Sequence, residues 1–407
     1  MTTTAETVKV LILSTYATAG GAAIAASRLK EALQKNGVET SMAVSCKGWI
    51  RGKTWAFVKE RLAILLANRG RRDNLYAIDI ALAGEDVTKL KEYKEADVIH
   101  LHWVNQGFLS FNILQKIINS GKRIVWTMHD AWTTTGICHL TLGCEAYQAQ
   151  CGNCKYLTHP HPNDLSHTVW EKKRRLYALH NITFVTCSRW LKAEALKSSL
   201  LAQQDVRCVP NPIDTARYAP HDKTACRDAL HLPTDKKLLL FVAQSVNNPN
   251  KGMAYLADAI QRIHDNSIAL VMLGGRDNGI KDLIPDTEVY ALGYIRDAET
   301  ICKVYSAADA FVLPSLSENL PNTIMEAMSC GTPCVGFDIG GIPEMIDHKQ
   351  NGYVARYRDT ADLAQGLIDT LNNNAAYSTH CREKVVREYS ENAVAEKYIN
   401  IYSMYNV

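Results

Sequence analysis

Two glutamates, Glu318 and Glu326, have the residue type and spacing of a binding or catalytic pair, because they flank the predicted start of a helix. The segment 310–314 before them has the apolar composition of a short buried strand, while Gly331 and Pro333 after them form a helix stop signal. Glu318 is therefore expected on the loop that leaves the strand, and Glu326 about one turn into the helix.

The helix start between the two glutamates has the composition of a phosphate site. Pro321 suits the first helical position, because proline lacks only an amide that would have no partner there. The amides of Asn322 and Thr323 then point out of the helix start, where the helix dipole favours a phosphate. Taken singly, each glutamate has a simpler interpretation, since one before a helix is often a cap and one inside a helix is usually solvated.

The glutamate spacing, followed by Gly-Thr-Pro at 331–333 and Phe-Asp-Ile-Gly-Gly-Ile-Pro-Glu at 337–344, resembles the retaining glycosyltransferases of family 4. That family has the GT-B fold, in which two Rossmann-like, doubly wound parallel-sheet domains face each other across a cleft. The resemblance implies that Glu318 lies beside the donor sugar of a nucleotide sugar and that Glu326 binds the ribose hydroxyls. It implies that the diphosphate is held by the amides that follow Glu318, with donor-binding positions at Asn319, Leu320, Asn322 and Thr323.

Length and composition agree with a two-domain protein. A chain of 407 residues is too long for one compact core and suits two domains of about 200 residues each. With 45 basic and 42 acidic side chains, the net charge of +3 gives no general attraction to nucleic acid, and no such partner is expected. Residues 1–8 lack a signal-peptide pattern and no uncharged apolar run approaches the roughly 20 residues needed to span a bilayer, so we expect a cytoplasmic protein.

Short apolar runs alternate with longer helical patterns in two series, which predicts an α/β protein with two parallel sheets covered on both faces. Two prolines near 209–214 interrupt the pattern. We therefore assign residues 1–209 to an N-terminal acceptor-side domain and residues 210–390 to a C-terminal nucleotide-sugar-binding domain. By the resemblance, the last helix, 391–407, packs back on the N-terminal domain. The predicted strands are 8–13, 97–102, 123–127 and 182–186 in the first series, and 237–242, 268–273, 289–292, 310–313 and 333–336 in the second.

Two loops of the N-terminal domain carry candidate cleft residues. Gly20 and Gly21 follow the first strand, where they either let the backbone approach a bound group or simply make a tight turn. The family's first loop faces the donor diphosphate, which favours the first interpretation. His129 follows a later strand and, by the resemblance, contacts the donor sugar. His100 and His102 are instead expected to be buried, hydrogen-bonded structural residues.

The second domain departs from the family at one cation. Members commonly carry an arginine after the first strand of this domain and a lysine five residues later, and both neutralise the leaving diphosphate. Here Gln244 replaces the arginine and the turn is longer, which leaves Lys251 as the clear cation. A glutamine donates a hydrogen bond without bringing charge, so Lys251 should matter more. Gly274 and Tyr294 match loops that the family uses near the base and phosphates.

The expected chemistry follows from the charges that must be stabilised. Breaking a sugar–phosphate bond gives an oxocarbenium-like centre and a diphosphate leaving group. Lys251 is a candidate for stabilising the diphosphate, and Glu318 and His129 for orienting the sugar. The resemblance implies retention by front-face attack with no settled protein nucleophile and no obligatory divalent metal, and the sequence has no Asp-x-Asp motif. We expect no cofactor for catalysis.

A cysteine-rich insert, residues 136–157, holds four of the 12 cysteines, whereas most of the others are scattered singly. Four thiolates bind zinc tetrahedrally, and Cys-Gly-Asn-Cys at 151–154 has the spacing of a zinc turn. The first pair is spaced more widely, so reduced cysteines or a labile disulfide stay open beside a structural zinc. The cluster could also indicate a zinc-dependent nucleic-acid module, but the sequence has neither a second Cys-x-x-Cys nor a clustered basic and aromatic face. The candidate ligands are Cys138, Cys144, Cys151 and Cys154.

The segment 53–72 mixes basic residues with large apolar ones. It is either a basic amphipathic helix on an anionic membrane surface or an ordinary helix whose apolar stripe lies in the core. In the first case the protein is peripheral at the inner face of the cell membrane, and the acceptor is a lipid-linked saccharide of a capsule, O-antigen or other surface polymer.

The predicted function is transfer of a hexose from a UDP- or GDP-sugar to a saccharide or polyprenyl-linked acceptor. Two alternatives stay open. A GT-B-like epimerase would use the nucleotide sugar without transferring it, and a non-catalytic nucleotide-sugar-binding protein would tolerate loss of Glu318.

Overall fold

The structure of the chain, a computed structural model, describes residues 8–45, 54–179, 182–243, 248–275 and 279–403. The chain divides into two compact units, residues 1–210 with 394–407 and residues 211–393. Each unit contains one six-stranded sheet whose strand pairs are all parallel. The predicted α/β class is confirmed, because parallel strands alternate with helices in both units, and the strands β3, β5, β10 and β11 are buried along their whole length.

The first unit has the strand order β2-β1-β3-β4-β5-β6. The chain passes from β1 outward to one edge and then back to the other side of β1, so a crevice is expected where the loops after β1 and β3 diverge. Its strands are β1 (Lys9–Ser14), β2 (Glu39–Val44), β3 (Val98–Leu101), β4 (Arg123–Met128), β5 (Ile182–Thr186) and β6 (Asp205–Cys208). Its helices are α1 (Gly21–Lys35), α2 (Trp55–Ala67), α3 (Lys91–Glu95), α4 (Phe111–Ile118), α5 (Leu165–Tyr177) and α6 (Arg189–Lys197), with 3-10 turns at Val87–Lys89 and Ala146–Gln148.

The second unit has the strand order β12-β11-β10-β7-β8-β9. Its strands are β7 (Lys237–Ala243), β8 (Ile268–Gly274), β9 (Glu288–Ala291), β10 (Ala310–Leu313), β11 (Cys334–Phe337) and β12 (Gly352–Ala355). Its helices are α7 (Lys223–Ala229), α8 (Met253–Ile263), α9 (Ile280–Leu283), α10 (Ala298–Ala307), α11 (Asn322–Ser329), α12 (Ile342–Met345), α13 (Thr360–Asn372) and α14 (Asn374–Tyr389), with a 3-10 turn at Pro249–Lys251.

The last helix, α15 (Glu391–Ser403), belongs to the first unit from residue 394 onward. Val394, Tyr398 and Tyr402 are buried in one cluster with Val10 of β1. The two tyrosines also make polar contacts with the central strands β3 and β4, since the Tyr398 hydroxyl lies 2.9 Å from that of Thr127 and the Tyr402 hydroxyl lies 2.7 Å from Nδ1 of His100. The apolar face of this helix therefore has its partner surface on the first sheet. Within the described residues, no helix combines the length and apolar composition needed to cross a bilayer.

Candidate active site

Three loops meet at the carboxyl edge of the second sheet, after β7, β10 and β11, and the first two carry Lys251 and Glu318. Asn250 joins the first two loops, since its carbonyl oxygen accepts from the amide of Leu316 at 2.8 Å and its side-chain amide donates to the carbonyl of Ser317 at 3.2 Å. The backbone before Glu318 is thus fixed against the segment that carries Lys251.

Two glycines allow these loops to approach one another. Gly252 has φ of 72°, and a Cβ atom there would lie 1.8 Å from the carbonyl oxygen of Pro314. Gly340 has φ of 61°, and its Cβ would lie 1.7 Å from the carbonyl oxygen of Glu318. Any side chain at either position would push the loop away, so both positions require glycine.

Lys251 and Glu318 form an ion pair, with Nζ 2.7 Å from Oε1. The lysine side chain is 31% exposed and that of the glutamate 16%, so the pair lies at the surface edge of the unit and is open to a ligand. The sequence assigned these residues separate partners, a diphosphate and a sugar. The structure brings them together, so a bound diphosphate would compete with Glu318 for the ammonium group.

Helix α11 begins at Asn322, and Pro321 is its N-cap with extended backbone (φ −69°, ψ 116°), not its first helical residue as predicted. The difference is one residue, because the ψ angle of Pro321 is extended and the helical conformation begins at Asn322. Helical hydrogen bonding starts with the amide of Ile324, which donates to the Pro321 carbonyl at 3.2 Å. The amides of Asn322 and Thr323 precede this ladder, as an anion site at a helix start requires.

Glu326 is the fifth residue of α11, and its Oε2 accepts a hydrogen bond from the hydroxyl of Tyr305 at 3.0 Å. Tyr305, on α10, is 1% exposed. Burial, together with the neighbouring carboxylate, raises the pKa of Tyr305 well above its usual value, so the phenol stays protonated and donates. The sequence reasoning missed Tyr305, because a buried tyrosine on a neighbouring helix has no fixed spacing from the glutamate that it orients.

The remaining donor candidates of this unit have different environments. The amide of Gly274 donates to the carbonyl of Gly293 at 2.8 Å, so it holds two loops together. Tyr294 is 63% exposed, and the Arg296 guanidinium lies 5.7 Å from its ring centre. Leu320 is buried, whereas Asn319 is partly exposed. Gln244 lies outside the described residues.

His129 follows β4 in the first unit and belongs to a group of neutral histidines. Its Nε2 lies 3.0 Å from Nδ1 of His102, and its Nδ1 lies 3.5 Å from Sγ of Cys187. His100 is fully buried between Tyr402 and Thr127. Burial lowers the pKa of His129 to about 4 and that of His100 to about 3, so these rings are uncharged at neutral pH.

Gly20 and Gly21 mark the start of α1. Gly20 is the N-cap with φ of 89°, and its carbonyl accepts from the amide of Ile24 at 3.1 Å. Both glycines are exposed, and no atom lies within 4 Å of the position where a Cβ would stand at Gly20. The first loop therefore leaves the helix start open to a bound group.

A charged network that the sequence did not predict lies beside His129. His139 is held between two carboxylates, with Nδ1 2.7 Å from Asp130 and Nε2 2.6 Å from Asp79. Asp79 is fully buried and also pairs with Arg61. Burial by itself would lower the pKa of His139, but the two carboxylates raise it to about 10, so this imidazole is charged.

Cys138, Cys144, Cys151 and Cys154 line a single cavity, and each is a free cysteine. Burial raises the pKa of Cys138 to about 12 and that of Cys151 to about 11. Across the residues that the structure describes, no group of three or more His, Cys, Asp or Glu side chains is arranged to hold a metal ion. The insert therefore gathers its four thiols around one space without closing them into a ligand set.

Comparison with protein families identifies the chain. The family model "Glycosyltransferase Family 4" matches residues 19–217, and the model "Glycosyl transferases group 1" matches residues 236–373. The two matches cover most of both units. The chain belongs to the family 4 glycosyltransferases. The resemblance of the glutamate region to that family is thereby confirmed.

Individual relatives of this glycosyltransferase have low sequence identity to it, but the matches extend over more than half of the chain. It is 27% identical to a putative colanic acid biosynthesis glycosyl transferase of Escherichia coli K12, over 75% of this chain and 74% of the relative. It is 26% identical to the Escherichia coli UDP-Gal:alpha-D-GlcNAc-diphosphoundecaprenol alpha-1,3-galactosyltransferase, over 56% of this chain and 59% of the relative. Anabaena HepE, solved in complex with UDP-glucose, has a TM-score of 0.61 at 15% identity, covering 97% of this chain and 99% of HepE. The similarity to such structures confirms the GT-B fold.

The charged state of His139 predicts a pH dependence. A folded-state pKa near 10, above the usual 6.5, contributes stability that is complete below pH 6.5 and lost as the pH approaches 10. At about 1.4 kcal/mol for each pKa unit, we expect this imidazole to account for a loss of about 5 kcal/mol in the free energy of unfolding across that interval, and His139→Asn to remove that component. Thermal unfolding measured from pH 7 to 10 for both proteins checks this.

Two other buried groups also have shifted pKa values, so the pH dependence of the wild type has to be compared with that of the variant. Lys173, whose pKa burial lowers to about 7, has the opposite slope in this interval, and Glu60, whose pKa burial raises to about 7, titrates below it. His159, which is exposed, supplies the control His159→Asn. Parallel pH profiles for the wild type and His139→Asn would show that His139 is not charged in the folded chain.

Proposed function

We propose that this glycosyltransferase transfers a hexose from a uridine diphosphate sugar to a saccharide carried on a polyprenyl diphosphate, with retention of the anomeric configuration. The observation that carries the proposal is the ion pair of Lys251 with Glu318 beside the start of α11, together with Glu326 held by Tyr305 on the same helix. These groups correspond to the three parts of a nucleotide sugar, with Lys251 suited to the diphosphate, Glu318 to the sugar and Glu326 to the ribose.

The diphosphate has two candidate partners in the second unit. Lys251 supplies a positive charge, and the start of α11 supplies amides and a helix dipole. The carboxylate of Glu326, one turn further on, accepts hydrogen bonds from vicinal ribose hydroxyls, and Tyr305 keeps one of its oxygens fixed. A uridine donor is supported by the names of two similar proteins, the Anabaena structure that holds UDP-glucose and the Escherichia coli enzyme that uses UDP-Gal.

The transfer step breaks the bond between the sugar C1 and the oxygen of the β-phosphate, and the diphosphate leaves with the electron pair. The acceptor hydroxyl attacks C1 from the same face, and its proton passes to the departing phosphate oxygen. Lys251 stabilises the charge that develops on the diphosphate, and Glu318 stabilises the positive charge that develops on the sugar ring. Replacement on the same face retains the configuration, and no enzyme-bound sugar is formed.

Donor binding is tested by a thermal-shift panel of UDP-, GDP-, ADP- and CMP-sugars. UDP-sugars should raise the melting temperature of the wild type, and Glu326→Ala should abolish the increase. Tyr305→Phe removes one hydrogen bond to a charged group, which is worth about 1.5 kcal/mol, so the donor Kd should rise about tenfold. Tyr290→Phe is the matched control, because the Tyr290 hydroxyl donates to the exposed Glu288 at 2.7 Å in the same unit. Stabilisation by another nucleotide class alone would contradict the uridine assignment.

Transfer itself is tested with Lys251→Met and Glu318→Gln. Loss of an electrostatic contact made mainly in the transition state should lower kcat by about 10²–10³. Both side chains are partly exposed, so the melting temperature should change little. Lys236→Met, which breaks an exposed ion pair with Glu288 at 2.6 Å, is the control. Turnover near the wild-type rate in either variant would remove that residue from the mechanism.

Product analysis separates transfer from the alternative activities. An α-anomeric product from an α-linked donor supports retention, whereas a β-anomer contradicts it. Conversion of the nucleotide sugar to its epimer without acceptor would identify an epimerase instead. Donor binding with neither product would identify a nucleotide-sugar-binding protein.

A surface suited to the membrane supports the lipid-linked acceptor. Helix α2 buries Phe57 and Ile64, as the core interpretation of this segment predicts, but its other face exposes three large apolar side chains. Trp55, Leu62 and Leu66 are 73%, 52% and 69% exposed, and their spacing places them on one side of the helix. Exposed basic residues flank that side, which suits an anionic lipid surface: Lys59, Arg69, Arg71 and Arg72.

We expect the wild type to sediment with vesicles of phosphatidylglycerol and phosphatidylcholine, and less as salt increases, because basic residues contribute to binding. The double variant Leu62→Glu, Leu66→Glu should lose most of this binding, since it removes apolar contact and adds repulsion. Leu196→Glu, at a residue that is 43% exposed on α6, is the matched control. Equal sedimentation of the double variant and the wild type would exclude this face from membrane contact.

A further inference from the structure

Two partly exposed aromatic rings, here called the aromatic pair, lie at the carboxyl edge of the first sheet. Tyr16 follows β1 and Trp103 follows β3, which are the neighbouring strands whose onward loops diverge. The ring centroids are 6.1 Å apart and the planes differ by 23°, which is an offset stack. Because ligands of open parallel sheets bind in the crevice where such loops diverge, the aromatic pair lies where a ligand is expected.

Hydrogen bonds hold the two loops against each other. The amide of Thr15 donates to the carbonyl of Trp103 at 2.7 Å, and the Thr15 hydroxyl lies 3.0 Å and 2.9 Å from the carbonyl oxygens of Trp103 and Asn105. The amide of His102 donates to the carbonyl of Leu13 at 2.9 Å. The backbone that carries both rings is therefore fixed before a ligand binds, which lowers the entropy cost of binding.

The polar group of each ring also has a fixed partner. The Tyr16 hydroxyl donates to Gln106 Oε1 at 2.8 Å, and the indole nitrogen of Trp103 donates to Asp130 Oδ2 at 2.8 Å. Gln106 has φ of 56°, which is uncommon for a residue other than glycine, and such conformations are concentrated at functional sites. The two rings are thus oriented through their polar edges, and their faces remain apolar.

Asp130 has the capacity for a further hydrogen bond. Its Oδ2 accepts from Trp103 and contacts His139, whereas its Oδ1 accepts from the amide of Trp132 at 2.9 Å. A carboxylate oxygen has two lone pairs, so Oδ1 can also accept from a ligand hydroxyl. The side chain of Asp130 is 20% exposed, so a ligand can reach it. Because a carboxylate repels a phosphate, this edge of the aromatic pair suits a neutral ligand.

A cavity beside the aromatic pair contains polar atoms without partners. The cavity is lined by His102, Trp103, Asn105, His129 and Asp130, among others. Within the described residues, Nδ2 of Asn105 and Nε2 of His102 have no hydrogen-bond partner, although both side chains are buried. A buried polar atom without a partner is costly, and a hydroxyl group can both donate and accept. The cavity therefore suits a ligand that carries hydroxyl groups.

We propose that the aromatic pair binds a neutral pyranose ring of the acceptor saccharide. A pyranose has an apolar face of C–H groups, which packs on aromatic rings, and a rim of hydroxyl groups, which suits Asp130 and Asn105. The bound sugar lies beside His129, the candidate of the first unit for contact with the donor sugar. The identity of this sugar as the acceptor rests on the proposed function, whereas its contact with the rings does not depend on transfer.

The test is saturation-transfer NMR of the full chain with three probes, the methyl α-glycosides of glucose, galactose and N-acetylglucosamine. Saturation of the aromatic protons of the wild type should reach the C–H protons of at least one probe. Trp103→Leu and Tyr16→Leu should each lose most of this transfer, because leucine lacks a flat ring face. Trp190→Leu, at a residue that is 36% exposed on α6, is the matched control and should keep it.

Titrations separate sugar binding from donor binding. Trp103→Leu should raise the Kd of the bound glycoside about tenfold and leave the Kd of the UDP-sugar unchanged. Tyr16→Phe keeps the ring and removes only the hydroxyl that donates to Gln106, so its glycoside Kd should stay within about threefold of the wild-type value. An increase in the UDP-sugar Kd alone would contradict the acceptor assignment. If the wild type binds no UDP-sugar, the proposed function fails, and the glycoside contact still decides whether the aromatic pair binds a sugar.

A measurement on the wild type covers variants that fail to fold. In protein with isotope-labelled tryptophan, the bound glycoside should shift the indole N–H signal of Trp103, which donates to Asp130, and leave that of Trp190 in place. Three results would overturn the sugar assignment. In the first, none of the glycosides contacts the wild type; in the second, folded Trp103→Leu and Tyr16→Leu keep the contact. In the third, uridine shifts the Trp103 signal and the glycosides do not.

Discussion

The ion pair of Lys251 with Glu318 depends on close backbone contacts between the loops that follow β7, β10 and β11. Gly340 lies against the carbonyl of Glu318 and Gly252 against that of Pro314, each too closely for a side chain. The loops after β7, β10 and β11 therefore meet in one arrangement, and two hydrogen bonds of Asn250 secure it. The glycines fix the position of the backbone but leave the two side chains partly exposed. Each side chain can therefore leave its ion-pair partner to contact a ligand.

The first unit contains both uncharged and charged histidines. His129, His100 and His102 are uncharged because the surrounding protein disfavours an imidazolium. His139 is charged because two carboxylates, Asp79 and Asp130, outweigh the same burial. The neutral rings share hydrogen bonds with one another and with neutral side chains, whereas the charged ring of His139 connects Asp79 to Asp130. Burial alone thus does not set the protonation of a histidine; the number of carboxylates in contact does.

The sequence predicted what short-range patterns determine. The central strands, the strand–loop–helix order around Glu318 and Glu326, and the convergence of Asn322 and Thr323 at a helix start all follow from residues close in the chain. Strands β2, β6 and β12 were not predicted, and all three are sheet edges. An edge strand is covered on fewer sides, so β2 and β6 carry polar residues and lack a continuous apolar run, while β12 is four residues long and begins with glycine. Tyr305 and the Asp79–His139–Asp130 network were missed because their members meet only through the fold.

Under the proposed function, the two units have different roles. The second unit holds the residues assigned to the donor, and these follow from a local pattern that many glycosyltransferases share. The cysteine insert and the exposed face of α2 both lie in the first unit. If the acceptor is lipid-linked, the first unit is the one that meets the bilayer, because its helix α2 exposes Trp55, Leu62 and Leu66 on one side.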